Sequence, residues 1–259
     1  MINKTITAAV ALSLVLALPG VAMAQTADEP APDRTVAEQT MDSQRLNIVN
    51  RIKERAQQAI DRRFETIDRL RTALNERGHA TAGHKADLFV DLNEAEAGLR
   101  TLSREIQAAT TVDQLRVLVP KIATDFRIYL VVAPKIREVI AGDTAVWVVN
   151  NPGAEAYERI SAAVDRANQA GYDVTEAQAA LQEMQTHMSK AEAYAGPVPN
   201  QVIDLGASDW ENPAKALLRQ GRDKLLQARD ELRAARDSAR AAVQALRDAI
   251  HDGSTDLAA

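Results

Sequence analysis

Histidines and nearby carboxylates are the side chains of this sequence whose types could support chemistry. His79 and His84 lie five residues apart, and with Asp87 they would offer the nitrogen and oxygen ligands that zinc accepts. No HExxH motif or comparable spacing accompanies them, which favours polar residues at a helix junction over a metal site. An enzyme site assembled from distant carboxylates and His84 or His187 stays open as an alternative.

The sequence lacks the usual motifs of nucleophilic and nucleotide chemistry. The chain has no cysteine, which removes disulfides, thiolate nucleophiles and cysteine-ligated zinc. No serine lies in a G-x-S-x-G motif, and no glycine-rich loop follows a strand-like segment. Carboxylates one helical turn apart, such as Asp61 and Glu65, are typical of solvated helix faces. We therefore predict that the chain is not an enzyme and has no catalytic residue, cofactor or metal site.

Three side chains are candidates for contact with a partner. Arg127 and Tyr129 belong to a block that is more distinctive than helix packing requires, and Trp147 follows the most apolar stretch of the chain. Aromatic residues and arginine are enriched at the centres of protein interfaces. For Trp147, the position is more typical of packing against the rest of the protein, and partner contact is the alternative role.

The composition favours long helices. Of the 259 residues, 46% are hydrophobic but only 3% are aromatic, and glycine occurs 11 times. Such a chain is too apolar for wholesale disorder and fits helices better than a sandwich, a barrel or an α/β sheet. We predict an all-α protein, an elongated antiparallel bundle of coiled-coil-like hairpins with about six helices. The net charge of −5 does not favour nucleic-acid binding.

Apolar residues recur at heptad spacing in several segments. Two of these segments are 88–106 and 177–195, and a looser stripe begins at Leu46. The strongest run is near the C-terminus and joins Leu218, Gly221, Leu225, Ala228, Leu232, Ala235, Ala239, Ala242, Leu246 and Ala249. Such ridges need to be covered by other helices, and small residues let a partner backbone come close. We expect the partner of the last helix in the same chain.

The middle of the sequence is less regular. Pro120 and Pro134 lie inside an apolar helical pattern, which predicts a kinked or segmented helix. Residues 128–133 and 146–149 are rich in β-branched side chains, so a strand is the alternative there. Residues 150–153, Asn-Asn-Pro-Gly, predict a turn or a kink.

The first 24 residues are typical of a secretory signal peptide. Lys4 supplies the positive charge, an apolar run of 13 residues follows, and small residues precede a cleavage point after Ala24. An uncleaved membrane anchor is the alternative, which the short apolar run disfavours. The predicted organisation is a signal peptide at 1–24, a disordered linker at 25–35, helical hairpins at 36–195, a linker at 196–208, a long C-terminal helix packing on the bundle at 209–251 and a disordered tail at 252–259.

Three blocks of the sequence carry a resemblance to known proteins. They are Arg51-Ile52-Lys53, the stretch Thr124-Asp125-Phe126-Arg127-Ile128-Tyr129 with Val132-Ala133-Pro134-Lys135, and Ser208-Asp209-Trp210. With these blocks, the chain resembles a family of uncharacterised exported all-helical proteins common in actinobacteria. The resemblance implies an exported helical protein and no mechanism. Residues 150–153 differ from that family, whose sequences are helical and alanine-rich at this place.

These observations predict an exported structural or interaction protein of the cell envelope or the extracellular space. It would bind another protein, an envelope component or a second copy of itself through helical surfaces, and it would keep no transmembrane anchor after signal cleavage. One alternative is a helical protein associated with the membrane surface, because the arginine-rich last helix also has an apolar seam. The other alternative is the envelope enzyme with a carboxylate and histidine site.

Overall fold

The computed structural model describes residues 34–76 and 79–256, and this part of the chain consists of helices and their connections, without a strand. The helices are α1 (Arg34–Glu76), α2 (Ala82–Ala108), α3 (Val112–Thr124), α4 (Ala133–Val148), α5 (Ala154–Gln169), α6 (Thr175–Ala195), α7 (Val198–Val202) and α8 (Lys215–Asp256). The all-α prediction is therefore confirmed. The predicted signal peptide lies outside the described residues.

By compactness the chain divides into residues 1–42 and 43–259, and the packing described below belongs to the second unit. Its largest apolar core joins residues of α1, α2, α3, α4 and α7 with the beginning of α8. Two smaller cores lie where α5, α6 and α8 pack together. None of the described helices carries an apolar stretch long enough to span a bilayer.

Helices α1 and α2 form an antiparallel hairpin. Lys53 Nζ donates to the carbonyl oxygen of Gln107 at 2.7 Å, and farther along α1 the Arg71 guanidinium donates to Asn93 Oδ1 at 2.7 Å. The heptad positions of α2 fill the interface, and those that are buried are Leu88, Leu92, Leu99, Leu102 and Ile106. Leu46, expected on the apolar stripe of α1, is instead 59% exposed, and the buried positions of α1 begin at Val49.

Helix α8 lies antiparallel to α6 and covers its apolar ridge. The two smaller cores place Ala242 with Leu181 and Leu246 with Ala177, so the end of α8 meets the beginning of α6. The heptad positions of α8 that are buried are Leu218, Gly221, Ala228, Ala235, Ala242 and Leu246. The partner that the alanine-rich seam requires is thus a helix of the same chain.

The two stretches rich in β-branched residues, 128–133 and 146–149, are helical. Residues Ile128–Val132 form a π-turn that leads into α4, and Val149–Gly153 form a second π-turn that leads into α5. The strand alternative for 128–133 and 146–149 is therefore wrong. The helix is segmented as predicted, but the break lies at Arg127, whose φ of 37° is left-handed, rather than at Pro134.

The segment predicted as a linker at 196–208 contains α7 and contributes to the core. Val198, Pro199, Val202 and Leu205 are buried, and α7 packs against both α4 and α8. The prolines and polar residues of this segment are typical of a linker. Its apolar side chains nevertheless pack between the longer helices α4 and α8.

Candidate functional site

A groove runs along the surface between α1, α4 and α8, and we call it the α1/α4/α8 groove. One part of it has a volume of about 560 Å³ and an adjoining part about 470 Å³, and the two parts share Ala73, Arg137 and Ile140. Its apolar lining consists of Leu70, Ala73, Ile140, Ala141, Ala145, Val148, Leu225 and Leu232. The larger part is lined mostly by apolar side chains, as binding sites usually are, whereas the smaller part is lined about equally by polar and apolar groups.

The spacing of residues within each helix explains why the groove is continuous. The α4 residues that line it recur at intervals of three and four from Arg137 to Val148, and those of α1 do so from Arg62 to Ala73. These intervals place side chains on one face of a helix. Alanines at positions 73, 141 and 145 are too small to fill the space between the helices, so the face stays concave.

Arginines border the groove along its length. Arg62 and Arg69 lie on α1, Arg137 on α4 and Arg229 on α8, whereas Glu65 is the one acidic side chain of the lining. Arg69 is within 3.7 Å of Glu65, and both side chains are solvent-exposed. Arg229 is likewise paired with Asp230 at 2.9 Å. The lining is nevertheless positive on balance in a chain whose net charge is −5, and it favours anionic ligands.

Tyr129, a predicted contact residue, lines one end of the groove. Its side chain is 48% exposed, and its hydroxyl donates to the carbonyl oxygen of Arg62 at 3.2 Å. The guanidinium carbon of Arg63 lies 5.2 Å from the centre of the tyrosine ring, which is a cation–π contact. Arg63 was not among the sequence candidates, because nothing in the local pattern of α1 distinguishes it from the neighbouring arginines.

The other two predicted contact residues do not line the groove. Arg127 is half-buried at the start of the π-turn, and its Nε is buried without a hydrogen-bond partner. Trp147 lies near the opposite end of α4, roughly 25 Å from Tyr129 at a helical rise of about 1.5 Å per residue. Its ring stacks on His79 with the ring centres 3.5 Å apart. The three residues therefore do not form one site.

A polar cluster on the buried side of α4 holds His84, the histidine considered for a metal or enzyme site. His84 Nδ1 lies 2.7 Å from Asp143 Oδ2, and His84 Nε2 lies 3.3 Å from Asn200 Oδ1. The same carboxylate oxygen accepts from the backbone N–H of Thr81 at 2.9 Å. Burial opposes the charged form of His84, but the bonds to Asp143 and Asn200 and the charges of Asp143 and Asp87 raise its pKa above the ordinary value.

This geometry favours an imidazolium over a general base. Both ring nitrogens of His84 face acceptor oxygens, and only a doubly protonated ring can donate to both. His187, the other histidine considered, pairs with Glu231 between α6 and α8 at 2.6 Å. Within the described residues no group of three or more histidine, aspartate or glutamate side chains is arranged to hold a metal ion.

Two further charged side chains of α4 are buried. Lys135 is 2% exposed, and its ammonium donates to Asp91 Oδ2 at 2.5 Å and to the carbonyl oxygen of Leu205 at 2.9 Å. Glu138 is 8% exposed, and its Oε2 has no hydrogen-bond partner. Burial raises the pKa of Glu138 to about 7, and the charge of Arg222 only partly opposes this shift. Lys135 is thus satisfied by partners, whereas Glu138 is not.

Comparison of the chain with family models, curated proteins and solved structures finds no match. The resemblance carried by the three sequence blocks therefore stays a prediction.

Proposed function

We propose that the protein is an exported interaction protein that binds an acidic amphipathic helix of a partner protein in the α1/α4/α8 groove. The observation that carries this proposal is the combination of an apolar lining between α4 and α8 with arginines on all three helices of the groove. The envelope or the extracellular space is the proposed location, because the first 24 residues are typical of a signal peptide.

The form of the groove suits a helix. The stretch of chain from Tyr129 to Val148 would span roughly 25–30 Å, the length of a helix of about 18 residues. An amphipathic helix places its apolar face into such a groove through residues at intervals of three, four and seven. The small side chains of Ala141 and Ala145 let a second helix approach α4 closely.

The distribution of charge favours a helix over a lipid. A fatty acid or phospholipid carries its charge at one end, whereas the arginines occur at Tyr129's end of the groove, in its middle and beside Leu232. A helix with carboxylates on both flanks of its apolar face would meet Arg62 and Arg69 on one side and Arg229 on another. Such pairing sets orientation and association rate more than affinity.

The test uses a synthetic helical peptide of about 18 residues with leucine on one face and glutamate on both flanks. We expect isothermal titration calorimetry to show binding that weakens with salt, and a peptide with lysine in place of glutamate should not bind. Arg137→Glu should weaken binding at least about fivefold, which corresponds to about 1 kcal/mol. Ala141→Trp should also weaken it, because the indole would fill the groove.

Arg159→Glu is the matched control, since it reverses the same charge at an exposed position of α5 outside the groove. Equal binding by wild type and Arg137→Glu would contradict the proposal. So would binding of anionic vesicles instead of the peptide, or self-association that Ala141→Trp abolishes. N-terminal sequencing of the protein from culture medium or envelope fractions tests export, for which we expect Gln25 as the first residue.

A further inference from the structure

Glu138 of α4 lies against Gly221 of α8. Its side chain points to Gly221 of α8, where a Cβ atom would overlap Oε2 of the carboxylate. Such a Cβ would also lie 3.2 Å from Val198 Cγ1 of α7. The carboxylate therefore occupies a space that exists because α8 has a glycine at this heptad position.

Few charges face this carboxylate. On α8, the charge of Arg222 lowers the pKa of Glu138 and so favours the ionised carboxylate, but Arg222 is an exposed residue. Lys224 of α8 donates to Gln201. α7 (Val198–Val202) has no ionisable side chain, and on α4 itself Lys135 is held by Asp91. When Glu138 is ionised, its buried Oε2 has no donor to replace the water that it lost.

We propose that Glu138 is a proton-controlled switch: in its neutral form it lets α4 and α8 pack together at Gly221, and in its ionised form it loosens this contact and weakens binding in the α1/α4/α8 groove. The loosening of the contact is inferred only from the packing of Glu138 against Gly221, whereas the effect on binding rests on the proposed function.

The position of Glu138 connects it to the groove. Arg137, which precedes Glu138 in the chain, lines the groove. Leu225, which follows Gly221 by one turn of α8, lines it as well. Loosening the α4–α8 contact would separate two sides of the groove. Ionisation also adds a negative charge beside Arg137, which lowers the positive potential that attracts carboxylates. Both effects weaken the binding of an acidic helix.

The experiment measures hydrogen–deuterium exchange of α4 and of the beginning of α8 between about pH 6 and about pH 8, corrected for the intrinsic pH dependence of exchange. In the wild type we expect protection of these segments to fall as the pH rises through about 7. Glu138→Gln should make this fall smaller, because its side chain is uncharged at every pH, and should leave only the part that deprotonation of His84 causes. Glu138→Met is a second neutral variant, and Glu183→Gln, at an exposed position of α6, is the control that should behave like the wild type.

Gly221→Ala should lower protection of the same segments at both pH values, because its Cβ displaces the carboxylate. An unchanged pH dependence in both neutral variants, or its absence in the wild type, would overturn the switch. Affinity for the glutamate peptide is measured in parallel, and we expect it to be about fivefold weaker at the higher pH in the wild type and in Glu183→Gln, but not in the two neutral Glu138 variants. If protection responds as described but no peptide binds at either pH, the proposed function fails and the packing switch stands.

Discussion

His84 Nδ1 and Asp143 Oδ2, 2.7 Å apart, connect the first turn of α2 to the buried side of α4. The pair joins residues 59 positions apart, and it lies where a loop, α4 and α7 meet through Thr81, Asp143 and Asn200. A charged hydrogen bond at this point stabilises the arrangement of three elements that no local interaction could hold together.

Replacing His84 should cost stability in a pH-dependent way. Because its pKa is raised in the folded protein, its contribution is fully present below the ordinary histidine pKa and is lost as the pH rises through the raised value. Urea denaturation of wild type and His84→Gln should therefore show a larger difference at about pH 5.5 than at about pH 8.5. The same difference at both values would mean that the imidazolium is not the stabilising form.

The ion pair between buried Lys135 of α4 and partly exposed Asp91 of α2 predicts unequal effects for its two partners. Asp91→Ala leaves the Lys135 ammonium buried with one remaining acceptor, the carbonyl of Leu205, and should cost about 3 kcal/mol. Lys135→Met removes the charge and keeps most of the packed stem, so we expect a loss of only about 1 kcal/mol. Both losses can be measured by urea denaturation. A larger loss for Lys135→Met would contradict the idea that the uncompensated charge dominates.

Two glycines of α2 should respond oppositely to alanine. A Cβ on Gly98 would overlap the ring of Phe126, which packs over this position, so Gly98→Ala should destabilise by about 1–3 kcal/mol. Gly83 has no atom within 4 Å of such a Cβ, and Gly83→Ala should stabilise by about 0.5–1 kcal/mol through helix propensity. Thermal unfolding of the two variants is the measurement. A melting temperature for Gly98→Ala that equals or exceeds that of the wild type would refute the role of Phe126.

Tyr129 and Trp147 were both candidates for partner contact. Only Tyr129 lines the groove, so the two residues should respond differently to substitution. Tyr129→Ala should weaken binding of the glutamate peptide about fivefold, because the ring lines the groove. Trp147→Ala should leave the affinity unchanged and reduce thermal stability, since its ring stacks on His79. Calorimetry measures the first effect, and circular dichroism during heating measures the second. Weaker peptide binding by Trp147→Ala would place the contact surface elsewhere.

Heptad spacing predicted the buried faces of α2, α6 and α8 because it is a property of neighbouring residues in one helix. The same reasoning failed for Leu46, since coverage depends on where the opposing helix ends. α2 ends at Ala108, near the level of Lys53, and Leu46 extends past it. The strand alternative at 128–133 failed as well, because the preference of β-branched residues for strands is weak against packing among helices.

The charged side chains of α4 show how far the candidate site could be predicted. Lys135, Glu138 and Asp143 are visible in the sequence as interruptions of an apolar stretch, but nothing nearby identifies their surroundings. Asp91 lies 44 positions from Lys135, and Gly221 meets Glu138 from another helix. The groove was likewise not predicted, because its lining comes from three helices that are distant in sequence.

The order of the residues alone determined that the chain is helical and which side of most helices is apolar, because side chains three and four positions apart share a face whatever surrounds them. The tertiary structure decided which helices meet, where an apolar face stays uncovered and which buried charge lacks a partner. Those outcomes depend on the distances between segments far apart in the chain, and such distances are set only when the whole core packs.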